Sequence, residues 1–250
     1  MDLPFRSKGL GLKALAFLLA VSPLNAAPLY ESPDPDVTLA HLPDKVWTDL
    51  GGLFTPDQAL VAGLGGSLTA ADWVFFDPSN PWPQDLRAWG TPGLWDFGDF
   101  YGQGWVEGFG GVGCWAWGGL TGDHRLACFG RDASESLAMA TLLVTGLKYA
   151  VGRERPDGSN HFSFPSGHTI TAFCVAPVVA KYGGWELGVP AYALAAVTGL
   201  SRVEGEHHYL SDVLAGATLG ILLGDLVVER PKDLSLSPTP GGAQVTWSFN

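Results

Sequence analysis

"LSDVLAGATLGILLGDLVV", Leu210 to Val228, is an apolar run with glycines at 216, 220 and 224. Inside a helix each glycine costs on the order of 1 kcal/mol relative to alanine, so three at a spacing of four need a reason. Residues four apart share one face of a helix, and a face without side chains lets another helix approach closely. His208 and Asp212 continue the same stripe toward the N-terminus. The stripe His208–Asp212–Gly216–Gly220–Gly224 is therefore expected to face the interior of a helical bundle.

Working outward, Trp185 to Leu200 and Thr169 to Lys181 read as two further apolar helices. Ser134 to Val151 reads as another, capped by Asp132 or Ser134. Gly98 to Thr121, rich in glycine and aromatics, reads as a tightly packed helix, and residues 77–97 as a Pro-, Gly- and Trp-rich loop, either lying over the mouth of a site or simply pinned to the surface by its aromatics. Lys45 to Phe76 is helical in pattern but interrupted at Thr55-Pro56-Asp57, an N-cap with proline in the first turn, and at Gly65-Gly66. Period-two patterns are nearly absent, so the fold class is all-α, a helical bundle. The exception is the C-terminus, where Val245, Trp247 and Phe249 alternate with polar residues as in one short strand. A lone strand does not stabilise itself, so it is expected to pack on the body, with docking on a partner at the outer membrane as the alternative.

The chain ends supply the domain plan. Arg6, Lys8 and Lys13 precede a short apolar run, Ala14 to Leu24, and the small residues Ala26 and Ala27. That is the pattern of an export signal, which places the mature protein in the periplasm or cell envelope; an uncleaved N-terminal anchor is the alternative. Residues 1–27 are thus assigned as signal, 28–44 as a Pro-rich acidic lead-in, 45–230 as the helical domain and 231–250 as a tail. Such a length suits one domain. Only 16% of residues are charged, against 46% hydrophobic, and the formal net charge is −11. An acidic chain of this kind argues against nucleic acid as a partner. The apolar runs fall short of the ~20 residues that cross a bilayer. Short helices suit a buried bundle, and a polytopic membrane enzyme with tilted helices is the alternative. Of three cysteines, Cys114 and Cys128 flank a Gly-rich connection and suit a disulfide in an exported protein, whereas Cys174 reads as a buried thiol.

The few basic residues carry the chemistry. Lys148 and Arg155 are seven apart, so on a continuing helix both point one way until Pro156 stops it. A basic last turn complementing the helix dipole is the simpler reading of that pair alone. Pro165-Ser166-Gly167-His168 precedes a helix whose N-terminus presents free N–H groups, an anion cradle, although a serine N-cap is common by itself. Arg202 offers a planar fork for phosphate oxygens. His208 and Asp212 are four apart, so the carboxylate can fix the imidazole tautomer. His207 has Ser211 at that spacing instead, His161 lies in a loop, and Arg153 falls off the Lys148/Arg155 face and reads as a surface charge.

Lys148-x6-Arg155-Pro156, Pro165-Ser166-Gly167-His168 and Ser201-Arg202-x5-His208-x3-Asp212 resemble the three signature motifs of the type 2 phosphatidic acid phosphatase (PAP2) superfamily. That superfamily includes bacterial acid phosphatases and, more distantly, vanadium-dependent haloperoxidases. The loop between the first two motifs, 157–164, is short for the family. The resemblance implies that His208 is the nucleophile, forming a phosphohistidine, with Asp212 orienting it. It implies His168 as general acid and then base, and Lys148, Arg155, Ser166, Gly167 and Arg202 as the phosphate-binding group. It implies no cofactor and no metal, since side-chain cations neutralise the transferring phosphate. The expected activity is an exported, metal-independent phosphatase acting on phosphate monoesters, lipid phosphates or prenyl diphosphates, with membrane association. A soluble acid phosphatase on small phosphomonoesters and a vanadate-dependent haloperoxidase are the alternatives.

Overall fold

The computed structural model describes residues 56–77, 80, 82–228, 234–239 and 242–247 of the 250-residue chain. The signal and lead-in assignments (1–44), and the start of the Lys45–Phe76 segment, lie outside these residues. Seven helices are described: α1 Pro56–Phe75, α2 Trp82–Trp89, α3 Pro92–Tyr101, α4 Trp105–Thr121, α5 His124–Val151, α6 Gly167–Glu204 and α7 Leu210–Val228. A C-terminal hairpin follows, β1 Leu234–Thr239 and β2 Gly242–Trp247, antiparallel with Leu234 opposite Trp247. Among the described residues the fold is all-α apart from this hairpin. The single strand expected at the C-terminus is β2, and it pairs with its neighbour β1.

α7 has the bounds its sequence pattern sets, and it lies at the centre of the bundle between α6, α5 and α1. Its glycine stripe meets α6. A Cβ at Gly216 would lie 2.8 Å from the Ser166 carbonyl oxygen, one at Gly220 2.7 Å from Phe173 Cβ, and one at Gly224 2.4 Å from the Cys174 carbonyl oxygen. Only glycine allows this approach. The contact buries Ile170, Phe173, Leu200, Ile221 and Leu223 almost completely, each worth roughly 1.5–3 kcal/mol of burial. α7 is the one helix among the described residues long and apolar enough to cross a membrane, and it is mostly buried inside the bundle.

Several local expectations give way to tertiary contacts. Gly65 does not interrupt α1: a Cβ there would overlap Thr218, so it brings α1 against α7. Residues 77–97 are not a loop but mostly α2 and α3, because Pro83 and Pro92 stand in first turns, where proline's missing N–H is no loss. The Gly98–Thr121 segment is two helices, broken around Gly104 (φ 75°). α5 begins ten residues before Ser134, capped by Asp123, whose side chain accepts from Leu126 N at 3.0 Å. Asp132 and Ser134 lie inside it; Asp132 is buried in an ion pair with Arg131 and accepts from the Tyr182 hydroxyl. α6 joins the two helices expected at Thr169–Lys181 and Trp185–Leu200 across a break at Gly184 (φ 69°). Cys114, Cys128 and Cys174 are all free thiols, so the Cys114–Cys128 pairing is not formed.

Candidate functional site

The C-terminal ends of α5 and α6 and the N-terminal ends of α6 and α7 meet at one end of the bundle. Lys148 stands in the last turn of α5, and its Nζ donates to the Phe162 carbonyl at 2.5 Å. The helix does not continue to Arg155. Gly152 takes a left-handed conformation (φ 60°) and returns its N–H to the Lys148 carbonyl at 3.0 Å, ending the helix as C-terminal glycines do. Arg155 therefore sits in the short loop, which braces itself: Arg155 N donates to Asn160 O, Gly158 N to Arg155 O, and Ser163 N to Arg153 O.

Ser166 is the N-cap residue of α6 and is fully buried. Its N–H donates to the Asp212 carbonyl at 3.0 Å, and its hydroxyl accepts from Thr169 Oγ1 at 2.8 Å. The first N–H groups of a helix have no acceptor within it, so Gly167 and His168 present donors here. A Cβ on Gly167 would lie 3.8 Å from Lys148 Cε, which places the lysine stem across this helix end. Arg202, in the last turn of α6, is buried; its Nη1 donates to Asp99 Oδ1 at 2.5 Å, and its carbonyl accepts from both His207 N and His208 N.

His208 is 1% exposed, with Nδ1 3.6 Å from Asp212 Oδ2. That separation is an ion-pair contact a few tenths of an ångström longer than a hydrogen bond, a common looseness before substrate tightens a site. The carboxylate itself is fixed. Its Oδ2 accepts from Ser163 Oγ at 2.5 Å and from Tyr209 N at 3.0 Å, and its Oδ1 from Arg153 Nη1 at 2.6 Å. His207 turns to the surface, with Nδ1 3.1 Å from Asp157. His161 is exposed.

The electrostatics follow from burial and from clustering of like charge. Burial, aided by the charge of Arg155, holds the Lys148 ammonium down to about 8. Burial and Arg202 likewise lower Arg155. Lys148, Arg155 and Arg202 lie close enough that the guanidinium of Arg202 helps lower the other two, and a cationic cluster of this kind complements a polyanion such as phosphate. Burial lowers both His168 and His208 to about 4, with Arg202 adding to the effect at His168. Burial pushes Asp212 up, but the His208 contact and the Arg153 charge outweigh it and hold the carboxyl below its usual range. Among the described residues no group of three or more His, Cys, Asp or Glu is placed to hold a metal ion.

All eight residues singled out from the sequence thus lie at this end of the bundle. Three others were missed. Arg153 is not a surface charge but is bonded to Asp212, Ser211 and Asp77. Ser163 holds Asp212, and Asp99, on α3, accepts from Arg202 and sets a negative charge near His168. Their partners are distant in the chain, so no local spacing signals them.

Residues 130–234 match the family model described as the PAP2 superfamily. The match runs from within α5 through α7, the stretch that supplies every residue of the cluster just described except Asp77 and Asp99. The chain is 46% identical over 99 residues to a lipid A 1-phosphatase of Porphyromonas gingivalis, covering 37% of this chain and 22% of that protein. It is 36% identical over 126 residues to phosphatidylglycerophosphatase B of Bacillus subtilis, covering 44% and 57%. The match therefore spans about a fifth of the length of the first relative and somewhat over half of the second. Among solved structures it is similar to a transmembrane PAP2 type phosphatidylglycerolphosphate phosphatase from Bacillus subtilis, with 26% identity, a TM-score of 0.35, and coverage of 75% of this chain and 92% of that one.

Proposed function

We propose that this protein is a PAP2-type phosphatase that hydrolyses the phosphate monoester of a lipid. The observation that carries the reading is a buried His208–Asp212 pair beside His168, with Lys148, Arg155 and Arg202 gathered around the N-terminus of α6. With Nδ1 turned to Asp212, the other ring nitrogen of His208, Nε2, is the nucleophile. Its lone pair attacks phosphorus while the bond to the leaving oxygen breaks, and His168 gives that oxygen a proton. Water then attacks the phosphohistidine, His168 takes the water's proton, and the P–N bond breaks to release phosphate. Lys148, Arg155, Arg202, the Ser166 hydroxyl and the Gly167 N–H neutralise the transferring group, the work a metal does in other phosphoryl transferases. The phosphate dianion supports its own turnover: its charge offsets Arg202 and raises His168 toward the protonated form that the first step needs.

The lipid half of the proposal rests on the outer surface and on the relatives' names. α4 carries one charged residue, Glu107, and buries it, while Phe109, Val112, Trp117 and Leu120 are exposed. Leu60, Leu64, Val74 and Phe75 of α1 and Leu142 and Tyr149 of α5 are exposed too. So broad an apolar surface suits association with a membrane, and with residues 1–27 read as an export signal the membrane is that of the cell envelope. The test is phosphate release by the full chain from phosphatidic acid, phosphatidylglycerophosphate and a prenyl diphosphate in mixed micelles, against p-nitrophenyl phosphate, with EDTA and with vanadate. EDTA-insensitive, vanadate-inhibited hydrolysis that favours a lipid is expected. Hydrolysis of the small ester alone would remove the lipid substrate; no hydrolysis of any would remove the phosphatase.

A further inference from the structure

We propose that Arg153 is a positioning residue for the His208–Asp212 pair, and that α1 is thereby a working part of the site, although α1 lies outside the matched segment. The inference rests on the phosphatase reading above. The Arg153 guanidinium lies between two rings, its Cζ 3.8 Å from the centroid of Trp73 and 4.0 Å from that of Tyr209. Its Nη1 donates to Asp212 Oδ1 at 2.6 Å and to Ser211 Oγ at 2.7 Å, and its Nη2 pairs with Asp77 Oδ2. The Ser211 hydroxyl donates in turn to Asp77 Oδ2 at 2.6 Å. These bonds close a network from the end of α1 to the first turn of α7.

The consequence for the chemistry lies in which oxygen is held by what. Asp212 Oδ2 faces His208 Nδ1, and Oδ1 is fixed by Arg153. Ser163 Oγ and Tyr209 N hold Oδ2 from the other side, and with Oδ1 tied to Arg153 the carboxylate cannot rotate that oxygen away from its imidazole. That rotation is the freedom that would let His208 take the wrong tautomer, with the proton on Nε2 and no nucleophilic lone pair there. Arg153 is not itself a phosphate ligand, because both Nη groups are bonded to protein and both faces are covered by rings. A lysine would not substitute, since one ammonium does not bridge Asp77 and Asp212 while lying flat between two rings. The predicted signature is thus a loss in kcat rather than in substrate binding.

The test compares full-length wild type, Arg153→Ala, Arg153→Lys, Asp77→Asn and His208→Ala on the preferred phosphate ester. Losing a group that orients a reacting side chain costs about 10- to 100-fold. Arg153→Ala is expected to lower kcat by about that factor with KM within about threefold, Arg153→Lys to recover little, and Asp77→Asn to lower kcat in the same sense. Added guanidinium should restore several-fold activity to Arg153→Ala and none to His208→Ala. Wild-type kcat in Arg153→Ala, a loss carried mainly by KM, or no effect of guanidinium on the folded variant would overturn the proposal. Should Arg153→Ala not fold, Asp77→Asn decides: unchanged kcat overturns it. If wild type hydrolyses no phosphate, the phosphatase reading fails first, and the 15N shifts of His208 still test the positioning: Nδ1–H in wild type with loss of that preference in Arg153→Ala supports it, and identical spectra contradict it.

Discussion

His208 and His207 are adjacent in the chain and opposite in setting: one is buried against Asp212, the other is paired with Asp157 at the surface. His208→Ala is expected to reduce turnover by more than about a thousandfold, the scale of losing a covalent nucleophile, while His207→Ala keeps most of it. Steady-state rates on any accepted ester check this, and the reverse pattern would move the nucleophile to His207. Acid stability follows from the same burial. His168 and His208 are held at about 4, below the ordinary 6.5. Between those values the unfolded chain binds more protons than the folded one, so their contribution is complete above about pH 6.5 and is lost as pH falls toward 4. Roughly 3 kcal/mol per group is the ceiling. Tm should fall across that window, and His168→Asn should flatten part of the slope; a Tm independent of pH there would contradict the burial argument.

At the scale of elements, the glycine stripe of α7 was legible because helical spacing and the cost of glycine speak together. Gly216→Ala should be destabilising by about 1–3 kcal/mol, because its Cβ meets the Ser166 carbonyl at 2.8 Å and a packed contact must open. The same change lifts α7 from Ser166, which caps the helix end proposed to bind phosphate, so kcat should fall with it. Gly63→Ala on α1, with nothing within 4 Å of the added methyl, should instead be neutral or stabilise by up to about 1 kcal/mol. Thermal or denaturant unfolding of both variants checks the pair. Element starts were less legible. Asp132 and Ser134 look like caps, yet a buried Arg131–Asp132–Tyr182 cluster carries α5 straight through them. Prolines at 83 and 92 mark helix starts that composition alone reads as loop.

Across the whole molecule, the helical class was readable from the near absence of period-two patterns, and the eight residues that the bundle gathers at one end could be picked out because each motif is short and carries its own spacing. What was not readable is how distant segments support them. Asp99 reaches Arg202 from α3, and Asp77 reaches Arg153 from just beyond α1; these pairings exist only once the bundle has formed. The apolar outer faces of α1, α4 and α5 predict that the protein sediments with membranes and needs detergent for release. Recovery of active enzyme in a high-speed supernatant without detergent would contradict that. The central claim, that a buried histidine carries the phosphoryl group, is tested most directly by rapid acid-free quenching of the full chain with 32P-labelled substrate, followed by mass-spectrometric mapping. The label should be acid-labile and base-stable, should lie on His208, should be absent from His208→Ala and should persist longer in His168→Ala. Label on any other residue, or active turnover by His208→Ala, would contradict the account.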